Sequence, residues 1–170
     1  MATYPALRVV GCSLSLAAAL FLSGCASPGS VVPRQSTASD VRDRVGLPTD
    51  IRFDANGDEL WEYARGPAGM ETYLIRIGKD GRVREVSQLL SSERFDRILP
   101  GKTTKAEVRA LLGRPSDLRY LQSGLAWDWR VRVGPQDGHY AVRFDGNDIV
   151  REKMVLTDPS SDDGKEGSGK

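Results

Sequence analysis

Apolar and polar residues alternate along the middle of the chain with two periods, one typical of helices and one typical of strands. The clearest helical stretch is residues 104–115, TKAEVRALLGRP, in which a valine and two leucines recur at helical spacing. Thr104 and Glu107 can cap its start reciprocally. Gly113 and Pro115 can end it. This stretch therefore predicts one complete short helix with both ends marked.

Strand patterns flank this helix on both sides. Tyr73, Ile75 and Ile77 are every second residue of one run, which is the period of a β-strand. Turn sequences such as Asp80-Gly81 separate these runs. Besides residues 104–115, the predicted helices are 37–45 and 91–99, and the predicted strands are 51–53, 59–64, 71–77, 82–90, 117–122, 125–133, 139–145 and 149–156.

The two halves of this region repeat one pattern. Residues 37–48, TASDVRDRVGLP, are a fainter copy of residues 104–115 and lie 67 positions earlier. The triplet Trp61-Glu62-Tyr63 recurs as Trp127-Asp128-Trp129 at an offset of 66. A match that extends over so much of each half predicts an internal duplication.

The order of the predicted elements defines the expected fold class. Helices packed on one face of an antiparallel sheet, present twice, make an α+β architecture of two tandem helix–(helix)–sheet units. We assign the first, degenerate unit to residues 36–90 and the second unit to residues 91–157. Residues 158–170 contain no apolar side chain and are predicted to be a disordered tail.

The N-terminal residues have the pattern of an export signal. Residues 9–22 form an apolar run of 14 residues, which is too short to span a bilayer stably. The sequence Leu22-Ser23-Gly24-Cys25 follows and resembles the lipobox of bacterial lipoproteins. The resemblance implies a signal peptide at residues 1–24 and lipid on Cys25. Because Ala26 follows the cysteine, it also implies an outer-membrane anchor that faces the periplasm.

The sequence also predicts how the anchor connects to the folded part. Residues 25–35, which contain proline, glycine and serine, are predicted to be a short tether between the anchor and the folded part. The alternative for the whole segment is an ordinary secretory signal that contains a cysteine by accident.

Removing the signal peptide would change the charge balance of the chain. The full sequence has 24 basic and 23 acidic residues, and the loss of Arg8 leaves 23 of each. A neutral chain argues against nucleic acid as the partner, because binding to phosphates needs an excess of positive charge. Cys25 would be the one remaining cysteine, so we expect no intrachain disulfide.

Groups for catalysis are scarce in this sequence. His139 is the only histidine, and no cluster of histidine, cysteine or acidic residues has the spacing of metal ligands. No nucleophile motif is present either. We therefore expect no enzyme activity, no catalytic residue, no cofactor and no metal.

A family resemblance rests on residues 100–115, PGKTTKAEVRALLGRP, together with the lipobox. This combination resembles the signature of the SmpA/OmlA, or BamE-like, outer-membrane lipoproteins. The resemblance covers residues 91–156 well and residues 37–90 only as the degenerate first copy. It implies a fold like that of the β-lactamase inhibitor protein, which also has two tandem copies. It further implies partners among the envelope proteins that insert β-barrels into the outer membrane.

The aromatic pairs of the repeated triplet have two interpretations. Trp61 with Tyr63, and Trp127 with Trp129, each share one face of a strand. They can form the core of so small a domain, or they can contribute to a binding surface, since Trp and Tyr are enriched in protein–protein hot spots. Tyr63 and Trp129 are our candidates for protein binding at an edge.

Two functional hypotheses from different classes follow. The first is an accessory or scaffold lipoprotein in outer-membrane protein assembly or envelope integrity. The alternative is a tethered protein-binding or inhibitory module of the β-lactamase-inhibitor-protein type, which the tandem repeat suggests.

We predict that Cys25 is the acylated first residue of the mature protein. Replacing Cys25→Ala should leave an uncleaved or mislocalised precursor, because the thiol is the group that receives the lipid. Mass spectrometry of the protein from membranes tests this. A mature N-terminus at another residue, or a Cys25 without lipid, would contradict the prediction.

Overall fold

The computed structural model of the protein describes residues 28–64, 69–121 and 124–158. These ranges contain a short 3-10 turn, three α-helices and eight β-strands. The turn is Pro28–Ser30, and the helices are α1 (Ala38–Val45), α2 (Ser92–Asp96) and α3 (Lys105–Leu112). The strands are β1 (Asp50–Phe53), β2 (Glu59–Ala64), β3 (Thr72–Ile77), β4 (Val83–Gln88), β5 (Asp117–Leu121), β6 (Gly124–Val133), β7 (Gln136–Phe144) and β8 (Val150–Thr157).

The strands form two antiparallel sheets in which each strand pairs with its neighbour in sequence. The first sheet has the order β1-β2-β3-β4, and the second has the order β5-β6-β7-β8. Trp61 pairs with Ile75 in the first sheet, and Trp127 pairs with Val142 in the second. Every strand predicted from the alternation of side chains is present. The sequence pattern was therefore a sound guide to the strands.

The expected α+β class, with helices packed on one face of each sheet, is wrong. Strands make up 46% and helices 19% of the structure that is described. The helices have only eight, five and eight residues. Helix α1 buries only Val41, α3 buries Val108 and Leu112, and α2 buries no residue. Helices this short do not form a layer over a sheet, so the architecture is mainly antiparallel β.

Reciprocal capping boxes start both eight-residue helices. The Thr104 hydroxyl accepts a hydrogen bond from the amide of Glu107 at 3.2 Å, and the Glu107 carboxylate accepts one from the amide of Thr104 at 2.7 Å. Thr37 and Asp40 do the same in α1. These hydrogen bonds favour the charged carboxylates, so the pKa values of Asp40 and Glu107 lie below their ordinary range. The caps thus fix where each helix begins.

Each sheet has its own hydrophobic core on one face. The first core centres on Trp61, Ile75 and Val83, and the second on Trp129, Val142 and Val150. Comparable details recur in both halves. The residue before α1 forms an isolated bridge with Arg82, and the residue before α3 forms one with Ile149, again 67 positions later. The outer face of each sheet is the face that points away from its core.

Part of the expected tether lies against the first sheet. The amide of Arg34 donates to the carbonyl oxygen of Val83 at 2.8 Å, and Val31 is buried in the first core. Val31 stands 67 positions before Ile98, which is buried in the second core. Residues 28–35 therefore belong to the folded body. Cys25, the signal peptide and residues 159–170 lie outside the described residues.

Within the described ranges, no helix has the length and apolar character that a membrane span requires.

Two leucines near the ends of α1 and α3 should differ in their contribution to stability. Leu112 is completely buried, so Leu112→Ala should lower the free energy of unfolding by about 2–5 kcal/mol. Leu47 is 81% exposed, so Leu47→Ala should change it by no more than about 0.5 kcal/mol. Urea denaturation of both variants measures the difference, and equal losses would contradict the core described here.

Candidate protein-binding site

The two aromatic residues proposed for protein binding are both in the core. Tyr63 is 6% exposed and Trp129 is fully buried. The Tyr63 hydroxyl donates to the carbonyl oxygen of Gly46 at 3.1 Å, and burial raises the pKa of Tyr63 to about 12. Trp129 packs edge-on against Trp127, with ring centroids 6.0 Å apart. Neither side chain offers a surface to a partner, so this assignment is corrected.

The acidic residue between the aromatic residues of each triplet points to the outer face. Successive side chains of a strand project to opposite faces, so Glu62 and Asp128 point away from the cores. Nevertheless, both carboxylates are buried: Glu62 is 0% and Asp128 is 1% exposed. Their burial is not evident from the sequence, because an acidic residue between two core residues ordinarily faces water. Buried carboxylates need partners, and these partners define the site.

The end of α3 covers Glu62 on the outer face of the first sheet. The guanidinium of Arg109 donates to Glu62 Oε2 at 2.7 Å and to Asp50 Oδ2 at 2.6 Å. The amide of Arg114 donates to Glu62 Oε1 at 2.5 Å. One surface of the first sheet therefore binds an arginine and the backbone at a helix end.

Gly113 allows this close approach. It has φ +75°, and a Cβ atom there would lie 2.9 Å from Glu62 Oε1 and 3.0 Å from Thr72 Cγ2. A residue with a side chain would be strained by its backbone and would push the helix end away from the sheet. The same glycine thus ends α3 and lets its C-terminus dock.

The outer face of the second sheet has a different arrangement around Asp128. Arg119 donates to both carboxylate oxygens of Asp128, from Nε at 2.8 Å and from Nη2 at 2.6 Å. This hydrogen bonding raises the pKa of Arg119 above its ordinary value. Arg52 holds the corresponding place beside Glu62, but at 3.3 Å with one contact. The fork geometry of Arg119 therefore satisfies Asp128 from within its own sheet.

A cleft of about 510 Å³ lies over Asp128 on this outer face. It contains charges of both signs and one apolar side chain, Leu156, which is 43% exposed. Its lining includes Ser116, Asp117, Arg119, Asp128, His139 and Leu156. The cleft therefore offers acidic and basic side chains beside an apolar contact, a combination suited to a polypeptide segment. In the described part of the chain, no group of histidine, cysteine and acidic residues could hold a metal ion.

Comparisons with known proteins add one distant likeness. No family model matches the chain, and no curated protein matches it. The chain is similar to a DUF4309 family protein (YjgB) from Bacillus subtilis whose crystal structure is known. The sequence identity is 17%, the match covers 76% of this chain and 83% of that chain, and the TM-score is 0.28. Membership of the SmpA/OmlA family stays a prediction.

We predict that Glu62 joins the two halves of the protein energetically. Glu62→Ala removes the acceptor of Arg109 and of the Arg114 amide, and should lower the free energy of unfolding by about 2–3 kcal/mol. Glu85→Ala is the matched control, because Glu85 lies on the same outer face but is exposed; it should cost less than about 0.5 kcal/mol. Urea denaturation followed by tryptophan fluorescence measures both. A Glu62 variant as stable as the Glu85 variant would disprove the role.

Proposed function

We propose that the protein is an accessory scaffold, anchored by lipid in the outer membrane and facing the periplasm. In this role it binds other envelope proteins during outer-membrane protein assembly or in maintaining the envelope. Its activity is binding and not catalysis. The cleft over Asp128 is the surface through which it binds.

The observation that carries this proposal is the pair of outer faces. On the first sheet, a buried carboxylate binds an arginine and a backbone amide at the end of α3. The second sheet has a buried carboxylate at the corresponding position, and an open cleft lies over it. One outer face is thus engaged in a protein contact, and the other has the chemistry for such a contact.

The sequence around Cys25 supports the location. If Cys25 carries lipid, the three residue spacings to Pro28 allow a separation of at most about 11 Å. The folded body would then lie next to the membrane surface. Confinement of this kind raises the effective concentration of partners that share the membrane, so a modest affinity is sufficient for binding.

A photo-crosslinking amino acid at position 156 tests the function in the native envelope. Leu156 is exposed in the cleft, so a probe there should recover envelope proteins, components of barrel assembly among them. The control is the same probe at Leu99, an exposed leucine that does not line the cleft.

Three outcomes of this experiment are informative. Recovery of envelope proteins from position 156 and not from position 99 supports the scaffold. Recovery of one soluble periplasmic protein replaces it with the tethered inhibitory module. Recovery of no protein from position 156 overturns both.

A further inference from the structure

We propose that the cleft over Asp128 binds the end of helix α1 from a second copy of this chain, in a head-to-tail contact. The inference rests on the proposed binding role of the cleft and adds a second copy of this chain to the envelope proteins that the cleft binds. The evidence is the internal contact between the end of α3 and the first sheet. The described residues contain one completed contact of this type and two surfaces that correspond to its halves but do not meet each other.

The cleft corresponds to the surface that α3 covers on the first sheet. Both surfaces contain two carboxylates, on the first and second strands of the sheet, and a leucine at the end of the fourth strand. Asp117, Asp128 and Leu156 are the counterparts of Asp50, Glu62 and Leu89, at offsets of 67, 66 and 67. In the first sheet, Asp50 and Glu62 bind Arg109. In the second sheet, the same positions line the cleft.

Burial shows that the second surface is incomplete. Leu89, beside the completed contact, is 0% exposed, whereas its counterpart Leu156 is 43% exposed. Thr72 is buried where Gly113 approaches the first sheet, whereas its counterpart His139 lines the open cleft. An apolar side chain is therefore left in water beside a buried carboxylate.

Helix α1 supplies the missing half. It is the counterpart of α3, and Arg42, Gly46 and Leu47 stand where α3 has Arg109, Gly113 and Arg114. A Cβ atom at Gly46 would meet nothing within 4 Å in the described part of the chain, whereas one at Gly113 would meet Glu62. Leu47 is 81% exposed. This helix end is thus shaped for a contact that the described residues of its own chain do not provide.

The chemistry of the two surfaces is complementary. Arg42 can donate to Asp117 and Asp128, as Arg109 does to Asp50 and Glu62. Both oxygens of Asp128 accept hydrogen bonds from Arg119, and the Asp128 side chain is only 2% exposed, so Arg119 must turn aside before a second copy can donate to it. The Leu47 amide can donate to Asp128, and the Leu47 side chain can cover Leu156. In the free protein the Arg42 guanidinium lies over the Trp61 ring, 4.6 Å from its centroid, and it must leave that position to bind.

This contact joins two different surfaces, so it leaves both copies with a free end. A heterologous contact of this kind adds further copies in a row unless the row closes into a ring. Anchoring all copies in one membrane would favour such rows by raising their effective concentration.

Disulfide trapping in the native envelope tests the contact. One tagged copy carries Leu47→Cys, and a second, differently tagged copy carries Leu156→Cys. The natural cysteines do not interfere if Cys12 leaves with the signal peptide and Cys25 is acylated. Mild oxidation should give a heterodimer with both tags, at least about tenfold more abundant than the homodimer from either variant expressed alone. No excess of heterodimer would overturn the inference.

A charge reversal separates this contact from random collision. Arg42→Glu in the copy with Leu47→Cys should lower the trapped heterodimer about tenfold, because it places like charges opposite Asp117 and Asp128. Arg44→Glu is the matched control and should leave it unchanged. Arg44 is the counterpart of Leu111, whose carbonyl oxygen accepts from Arg94 of α2 and which packs in the second core. Equal effects of the two reversals would contradict the proposed geometry.

Two further results distinguish this inference from its alternatives. Deleting residues 159–170 should leave the heterodimer unchanged; a rise of tenfold or more would mean that the tail of the same chain occupies the cleft. The position-156 photo-crosslink separates the two proposals. If it recovers other envelope proteins while no heterodimer forms, the second-copy inference fails and the scaffold role stands. If neither is found, both fail.

Discussion

The contact on which the structure depends is the buried carboxylate of Glu62. It lies on the outer face of the first sheet, where no hydrophobic core covers it, and it is nevertheless completely buried. A charge in that position is tolerated only when it is paired and hydrogen-bonded. Arg109 and the Arg114 amide, 47 and 52 residues further along the chain, provide the pairing. The docking of the second half on the first therefore supplies the partners that the buried Glu62 carboxylate requires.

Glu62 and Asp128, which are 66 positions apart in matching triplets, show how one acidic position can have two roles. Glu62 accepts a hydrogen bond from Arg109 of α3. Arg52, which lies in the same sheet as Glu62, donates one hydrogen bond to it, at 3.3 Å. Asp128 is one methylene shorter, and Arg119 takes both of its oxygens. The shorter side chain stays closer to its own strand, where a forked guanidinium can satisfy it without a neighbour. The carboxylate of Asp128 is thus satisfied within the second sheet, without a contact from another part of the chain.

The sequence predicted local structure far better than it predicted the fold class or the site. Strands depend on alternation, and caps such as Thr104 with Glu107 are local, so both are visible within a few residues. How much of a sheet a helix covers depends on contacts between residues that are distant in sequence. The helices of eight residues bury one or two side chains each. The alternation correctly predicts that the aromatic residues of each triplet share one face of a strand. Whether that face meets the core depends on contacts with residues distant in sequence. The local pattern therefore places Tyr63 and Trp129 at an edge and does not indicate that Glu62 is buried.

The contact between α3 and the first sheet has two open counterparts among the described residues, one at the end of α1 and one on the second sheet. In the described residues, the first sheet binds the end of α3, whereas the end of α1 and the outer face of the second sheet make no such contact. Repeat proteins usually place polar residues at their two ends. Here Leu47 is exposed on the first helix end and Leu156 on the last sheet. Arg44, by contrast, is polar where its counterpart Leu111 packs into a core. Phe53 and Tyr120 are exposed as well, so exposure alone does not set Leu47 and Leu156 apart. Their positions do, because the counterpart Arg114 donates to Glu62 and the counterpart Leu89 is buried.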